Sequence, residues 1–158
     1  MPTIEELLQT IPQVGTVDWI GLRPARNAPM ESVGMALAEV GTGLRGDRYS
    51  RLSGPRQVTL VQAEHLDAIA SMLHLAALEP GRLRRNLVVR GLNLLALKGR
   101  RFQIGAAQFK YTGPCHPCSK MERELGPGGY NAMRGHGGIT ASVIEAGEIS
   151  IGASVIPL

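Results

Sequence analysis

Large aromatic side chains are scarce: Phe, Trp and Tyr together make up 4% of the 158 residues. With so few rings for bases to stack on, the composition argues against a single-strand nucleic-acid binder. No apolar run approaches the ~20 residues that cross a bilayer. The opening Met1-Pro2-Thr3-Ile4-Glu5-Glu6 carries acid where an export signal carries base. A cytoplasmic protein is therefore expected, with neither nucleic acid nor membrane as partner. Cysteine is limited to Cys115 and Cys118; two thiols without an export signal argue against a disulfide framework and for redox, metal or nucleophile chemistry. Lysine is short as well, with 3 residues against 14 arginines.

The arginine excess underlies a formal charge of +4. The planar guanidinium fork grips phosphate and other oxyanions in bidentate fashion, which points to an anionic small ligand or cofactor; the competing reading is a solvated basic rim. Glycine is abundant at 20 residues, so tight turns are frequent. The length fits one domain.

Thr3 and Glu6 have the spacing of a capping box, and Ile4, Leu7, Leu8 and Ile11 follow at helical intervals, so residues 3–10 read as a short lead helix ending at Pro12. Strand composition runs from Val14 to Leu22, Ser32 to Val40, Gln57 to Gln62, Asn86 to Arg90 and Arg101 to Tyr111. Two further strands, Ile139 to Ile144 and Glu148 to Ile156, are joined by a turn at Glu145-Ala146-Gly147. Leu66, Ile69, Ala70 and Leu73 mark one face of a helix from Ala63 to Leu73. Leu92 to Lys98 reads as a short apolar turn or helix, Ser119 to Leu125 as helix-forming, and Gly126 to Gly138 as a glycine-rich loop. Short strands at close spacing with a single good helix predict a mainly β protein, an antiparallel β-barrel with a few short helices.

Chemistry concentrates in Gly113-Pro114-Cys115-His116-Pro117-Cys118-Ser119-Lys120. Cys118 falls at or just before a helix start, between His116 and Lys120, surroundings that favour a reactive thiol; the bland alternative is two small buried hydrophobes. Three chemistries fit. Dithiol exchange wants a long helix after the pair, structural zinc wants four ligands, and a single soft thiolate serving a thiophilic metal or carrying sulfur needs one cysteine only. Cys118 is the first candidate for catalysis and for metal ligation, with Cys115 as its catalytic companion. Two glycine-flanked stretches offer cations to an anion: Arg45 and Arg48 in Gly43 to Tyr49, and Arg134 and His136 in Arg134 to Thr140. Arg48 and Arg134 are favoured over Arg45, with a local Asp47–Arg48 pair as the competing reading. His65 and His74 read as surface or rim residues, and Arg100-Arg101 as a solvated strand end.

Several blocks occur in the order seen in one family. They are Gly43-Leu44-Arg45-Gly46-Asp47-Arg48, Gln57 to Leu60, Arg85 to Leu92, Phe102 to Gly105, the cysteine segment, and Gly135 to Ala141. Together they resemble the MOSC domain, the C-terminal domain of molybdenum cofactor sulfurases, in its small stand-alone bacterial type, from about Val14 to Val155. With the lead-helix segment assigned to 1–12, the resemblance implies a single MOSC-like β-barrel domain over 13–158. It also implies one functional cysteine, matched by Cys118, and an association with molybdopterin. The cofactor would be bound for reduction of N-hydroxylated compounds, or sulfur would be carried for its maturation. The alternative is a metal-free sulfur carrier or thiol-disulfide protein using Cys118 and Cys115, and a third reading is a plain interaction domain. The sequence has neither the pyridoxal-phosphate domain of the sulfurases nor the N-terminal β extension of the larger reductases. With no nicotinamide or flavin fingerprint either, a separate electron donor or sulfur donor protein is expected.

Overall fold

The computed structural model describes residues 1–49 and 54–158. The lead segment forms α1 (Ile4–Gln9) with both capping-box hydrogen bonds: the Glu6 amide donates to Thr3 Oγ1 and the Thr3 amide to Glu6 Oε2. None of its residues is buried.

The strands that follow are β1 (Gly15–Leu22), β2 (Glu31–Val33), β3 (Met35–Glu39), β4 (Gly43–Leu44), β5 (Val58–Gln62), β6 (Leu87–Arg90), β7 (Arg101–Ile104), β8 (Ala107–Pro114), β9 (Ile139–Glu145), β10 (Gly147–Ser150) and β11 (Ser154–Pro157). Between them lie α2 (Ala63–Met72), α3 (Ser119–Leu125), α4 (Gly129–Met133) and the 3-10 turns Pro80–Leu83 and Leu94–Leu97. β11, β7, β8, β9, β5, β6 and β1 pair in that order, and β1 returns to β11 through Gly15 opposite Val155 and Thr16 opposite Ser154. The ring is thus a closed barrel. Its interior is filled by alternating residues such as Val17, Ile20, Leu60, Val89 and Ile104, with the Phe102 and Phe109 rings stacked 5.5 Å apart. Each such side chain contributes about 1.5–3 kcal/mol by leaving water.

The barrel is mixed, which corrects the antiparallel expectation. β5 and β6 run parallel, with Leu60 opposite Leu87 and Gln62 opposite Val89. A parallel return needs a crossover of a dozen or more residues. The connection through α2 and Pro80–Leu83 is long enough, and one helix suffices for one parallel pair. It also explains why every residue of β5 is buried: Val58 and Leu60 face the barrel, while Val61 lies under Leu66, Ile69 and Ala70 of α2. Met121 of α3 and Met133 of α4 join this outer cluster, so the helices near the cysteines rest on the crossover.

Three segments expected to be single strands divide. The stretch 32–40 breaks at Gly34: β2 stays on β1, while β3 leaves for a three-stranded sheet with β10 and β4. The stretch 101–111 is a hairpin of β7 and β8 turning at Gly105-Ala106. The stretch 148–156 divides into β10 and β11, so β9 and β10 form no hairpin; β9 pairs with β5 and β8 instead. The Gly126 to Gly138 loop contains α4, held to α3 by Glu122, whose carboxylate accepts the Gly128 and Tyr130 amides. Those bonds keep its carboxyl below the usual range. Among the described residues no helix is long and apolar enough to cross a membrane.

Candidate functional site

Strand β8 delivers the cysteine segment. Its last pairs are Gly113 with Thr140 and Pro114 with Ile139, and the Cys115 amide then donates to the Gly138 carbonyl at 2.8 Å. Cys115 is therefore fastened to the start of β9 and buried, whereas Cys118 is exposed at the N-cap of α3. Both are free thiols. The opposite wall is close because Gly137 and Gly138 have no side chain: a Cβ at Gly137 would collide with the Cys115 carbonyl, and one at Gly138, where φ is +90°, with Leu60.

Arg85 ties these walls together. It is 7% exposed and donates through Nε to Gly137 O (2.8 Å), through Nη1 to Leu83 O (3.0 Å) and through Nη2 to Cys115 O (3.3 Å). Among the described residues it has no carboxylate partner. Burial pulls its guanidinium below the usual value, opposed by the two cysteines and reinforced by Arg56 and Arg23. Arg56 Nη2 lies 3.6 Å from Cys115 Sγ.

A second group of cations gathers around Lys120, two residues after Cys118. Partial burial, then Arg84, Arg48 and Arg26, pull the Lys120 ammonium below its ordinary range, and Cys118 acts the other way. Arg84 is likewise lowered, first by burial and then by Arg23 and Arg48. Its backbone sits in the left-handed region at φ +57°, an uncommon conformation for a side-chain-bearing residue that marks strain. Its Nη1 donates to Ala28 O at 2.6 Å, while its buried Nη2 has no partner among the described residues.

Asp47 organises this side. Its carboxylate is fully buried and accepts from the Arg23 amide, Nε and Nη2, from Asn86 Nδ2 and from the Tyr49 amide. Burial alone would raise its pKa; the Arg23 hydrogen bonds and charge, together with the amides, outweigh burial and hold it below the usual value. Asn86, itself fully buried, also bonds Thr59 and the Gly21 carbonyl, so the loop carrying Arg48 is anchored to β1, β5 and β6 at once. The competing reading of a local Asp47–Arg48 pair does not hold: Asp47 pairs with Arg23, and Arg48 makes no ion pair among the described residues.

On the far side of the cysteine segment lies a cavity of about 440 Å³. Cys115, His116 and Pro117 form one wall and Gly135 to Ile139 another, with His65 of α2 at its edge. His65 and His136 approach to 4.6 Å between ring centroids, tilted by 59°. Burial, then His136, lower the His65 imidazole below its usual value, with Glu64 opposing.

Of the residues expected to act, Cys118, Arg48 and Lys120 share the cationic side, while Cys115 and His136 line the cavity. Arg134 is exposed at the end of α4, one residue before that lining. Arg45 is not brought in: it is exposed and paired with Glu39 at 2.8 Å beside the three-stranded sheet. No group of three or more His, Cys, Asp or Glu side chains converges among the described residues, so the four-ligand zinc arrangement is not formed there. A dithiol-exchange site is also poorly matched, since α3 has only seven residues. Sequence reasoning missed Arg84 and Arg85, which arrive through the β5–β6 crossover, and placed His65 on a rim although it is half-buried against His136. The run Arg82-Leu83-Arg84-Arg85 was the available signal.

The sequence model of the MOSC domain matches residues 47–156. No curated protein sequence matches the chain. Among solved structures, the YuaD protein of Bacillus subtilis superposes with a TM-score of 0.80 at 19% identity, over 92% of this chain and 97% of that one. YiiM of Geobacillus stearothermophilus gives 0.72 at 17%, over 91% and 75%. YiiM of Escherichia coli gives 0.67 at 23%, over 90% and 69%.

Proposed function

The chain belongs to the MOSC domain family, and from that premise we propose that it binds an anionic molybdenum cofactor of the molybdopterin form with Cys118 as thiolate ligand. The observation that carries this reading is the exposed Cys118 at the N-cap of the helix bearing Lys120, whose ammonium feels Arg84, Arg48 and Arg26, with the buried Arg84 Nη2 left unbonded among the described residues. A buried donor without an acceptor is destabilising by about 1–3 kcal/mol, and an oxyanion would relieve it. A soft sulfur and hard guanidinium donors are also the two chemistries that a thiophilic metal joined to a phosphorylated pterin would require.

In this reading Cys118 meets the metal, and Arg84, Arg48, Lys120 and Arg26 receive the anionic tail. Arg134 stands at the rim of the adjoining cavity, and Arg45 takes no part. When bound, the group supplies two-electron redox chemistry of the kind that reduces N-hydroxylated compounds. The chain's own residues provide the cationic seat and hold the cysteine segment against β9 through Arg85, with electrons delivered by a separate donor protein.

Metal analysis of protein from cells with intact cofactor synthesis tests the reading. Molybdenum should be present in the wild type and absent from Cys118→Ala. No molybdenum in either, or equal amounts in both, overturns it. A second reading draws on the Arg56 guanidinium beside the Cys115 sulfur: a metal-free sulfur carrier or thiol-disulfide protein in which Cys118 attacks and Cys115 resolves. Mass spectrometry after mild oxidation separates the two. A ready Cys115–Cys118 disulfide or a persulfide supports the second reading, and inert thiols oppose it.

A further inference from the structure

The cavity behind the cysteine segment has a chemistry unlike the cation group on its other side. Its volume of about 440 Å³ lies in the range of small-molecule sites, roughly 300–1,000 Å³. In a chain with 17 basic residues, none of the described residues that line it is Arg, Lys, Asp or Glu. Leu94, Leu95, Tyr111, Pro114, Pro117 and Ile139 make its walls predominantly apolar.

Its side-chain amides are largely engaged. Gln62 Oε1 accepts the Leu94 amide, and its Nε2 donates to Glu64 Oε1 and the Leu92 carbonyl; Asn93 Oδ1 accepts the Leu95 amide. The imidazoles are not: the rings of His65, His116 and His136 make no hydrogen bond among the described residues, and His136 Nδ1 is buried without a partner. Its ring is held in place by His65 at 4.6 Å and by its own amide, which donates to Met133 O at 2.7 Å. The walls are fixed too, since Gly137 and Gly138 are packed too closely to carry any side chain. A mostly apolar cavity with fixed glycine walls, imidazoles for its free polar groups and no acidic or strongly basic lining side chain is preorganised for one class of ligand.

We propose that this cavity is a binding site for an uncharged, largely apolar small molecule whose polar group bonds to an imidazole of the His65–His136 pair. The site takes a neutral ligand next to a surface that takes an anion, and it stands whatever Cys118 holds. With no Arg, Lys, Asp or Glu side chain on the described lining, a charged ligand would meet no fixed opposite charge there, and burying a charge so is disfavoured.

Three probes of one shape test this: benzamide, benzoate and benzylammonium. Each is titrated into the full-length protein purified from cells that cannot make the molybdenum cofactor, so failure of the metal reading leaves the result intact. The readout is the imidazole ¹⁵N resonances of His65 and His136. Benzamide should shift both rings with saturation, and the charged probes should bind there roughly tenfold more weakly or less, from the desolvation argument. His136→Leu, which retains an apolar filling, should weaken benzamide by about fivefold or more through loss of that bond. His65→Gln serves as a second variant should His136→Leu fold poorly. Ring shifts from benzoate equal to or larger than those from benzamide overturn the proposal. So does the absence of ring shifts with benzamide.

Discussion

The two faces of the Cys115–Cys118 segment are three residues apart in sequence and opposite in character. Towards Cys118 cations gather: beyond burial, Arg84, Arg48 and Arg26 lower the Lys120 ammonium, and Arg23 and Arg48 lower Arg84, opposed by Glu124 and by Asp47, which Arg23 occupies. Towards Cys115 the lining is glycine, proline and aliphatic, and its polarity comes from imidazole, amide and phenol groups. Concentrating cations destabilises a fold unless an anion joins them, whereas an uncharged cavity is stable while empty. One face is therefore arranged around a charge that the chain does not supply, and the other around a shape. A single residue, Arg85, bonds to both walls.

The comparison breaks most completely at Asp47. Asp47→Ala removes the acceptor that holds Arg23 and Asn86 and leaves a nearly buried cation unpaired, which should lower stability by about 3–5 kcal/mol and Tm by roughly 10 °C in calorimetry. Molybdenum content should fall with it, while benzamide still shifts the histidine rings of the folded fraction. The wild type carries an acid signature of the same contact. Because the folded carboxyl lies below its ordinary value of 3.8, its stabilisation is present above that pH and is lost as pH drops through the folded value. Acid unfolding of Asp47→Ala should lack that component.

Arg85→Met keeps the volume and removes three donors. Stability should fall by about 1–3 kcal/mol, and both molybdenum content and benzamide binding should weaken. A loss confined to one of them would show that the two faces do not share this wall. Arg84→Asn acts on one face only. Asparagine tolerates the left-handed backbone that arginine holds at φ +57°, so thermal stability should be unchanged or higher while molybdenum occupancy falls about tenfold, the effect of one lost charge-assisted contact. The smallest effect belongs to Arg45→Ala. That side chain pairs with Glu39 in solvent, so Tm, metal content and benzamide titration should all match the wild type.

Much of the barrel was legible because its strands carry local signals. Val58 to Gln62 is mostly apolar, and the one-faced helix from Ala63 onward is visible in Leu66, Ile69 and Ala70. That these two features together enforce a parallel pair required knowing where β6 lands, which no local pattern states. The β7–β8 hairpin was hidden because its turn is Gly105-Ala106 rather than a dipeptide such as Asn-Gly, whose two residues both favour the left-handed region. At the site, Cys118 announced itself through Pro117 before it and helix formers after it. Arg84 and Arg85 did not, since they lie more than 30 residues upstream and reach the cysteines only by way of the crossover. His65 on an isolated helix looks like a rim residue; only the loop ending in Gly137 and Gly138 lays His136 against it.

The seam between β1 and β11 sets a constraint on the order of assembly. Gly15 and Thr16 wait for Ser154 and Val155, so during synthesis the barrel stays open until almost the whole described chain has left the ribosome. Contacts between residues so distant in sequence form slowly. In the interval β1 and β7 present unpaired backbone edges beside apolar faces, the kind of surface on which nascent chains associate wrongly. Yield of the native protein should therefore respond to translation speed, temperature and chaperone supply more than its final stability would indicate.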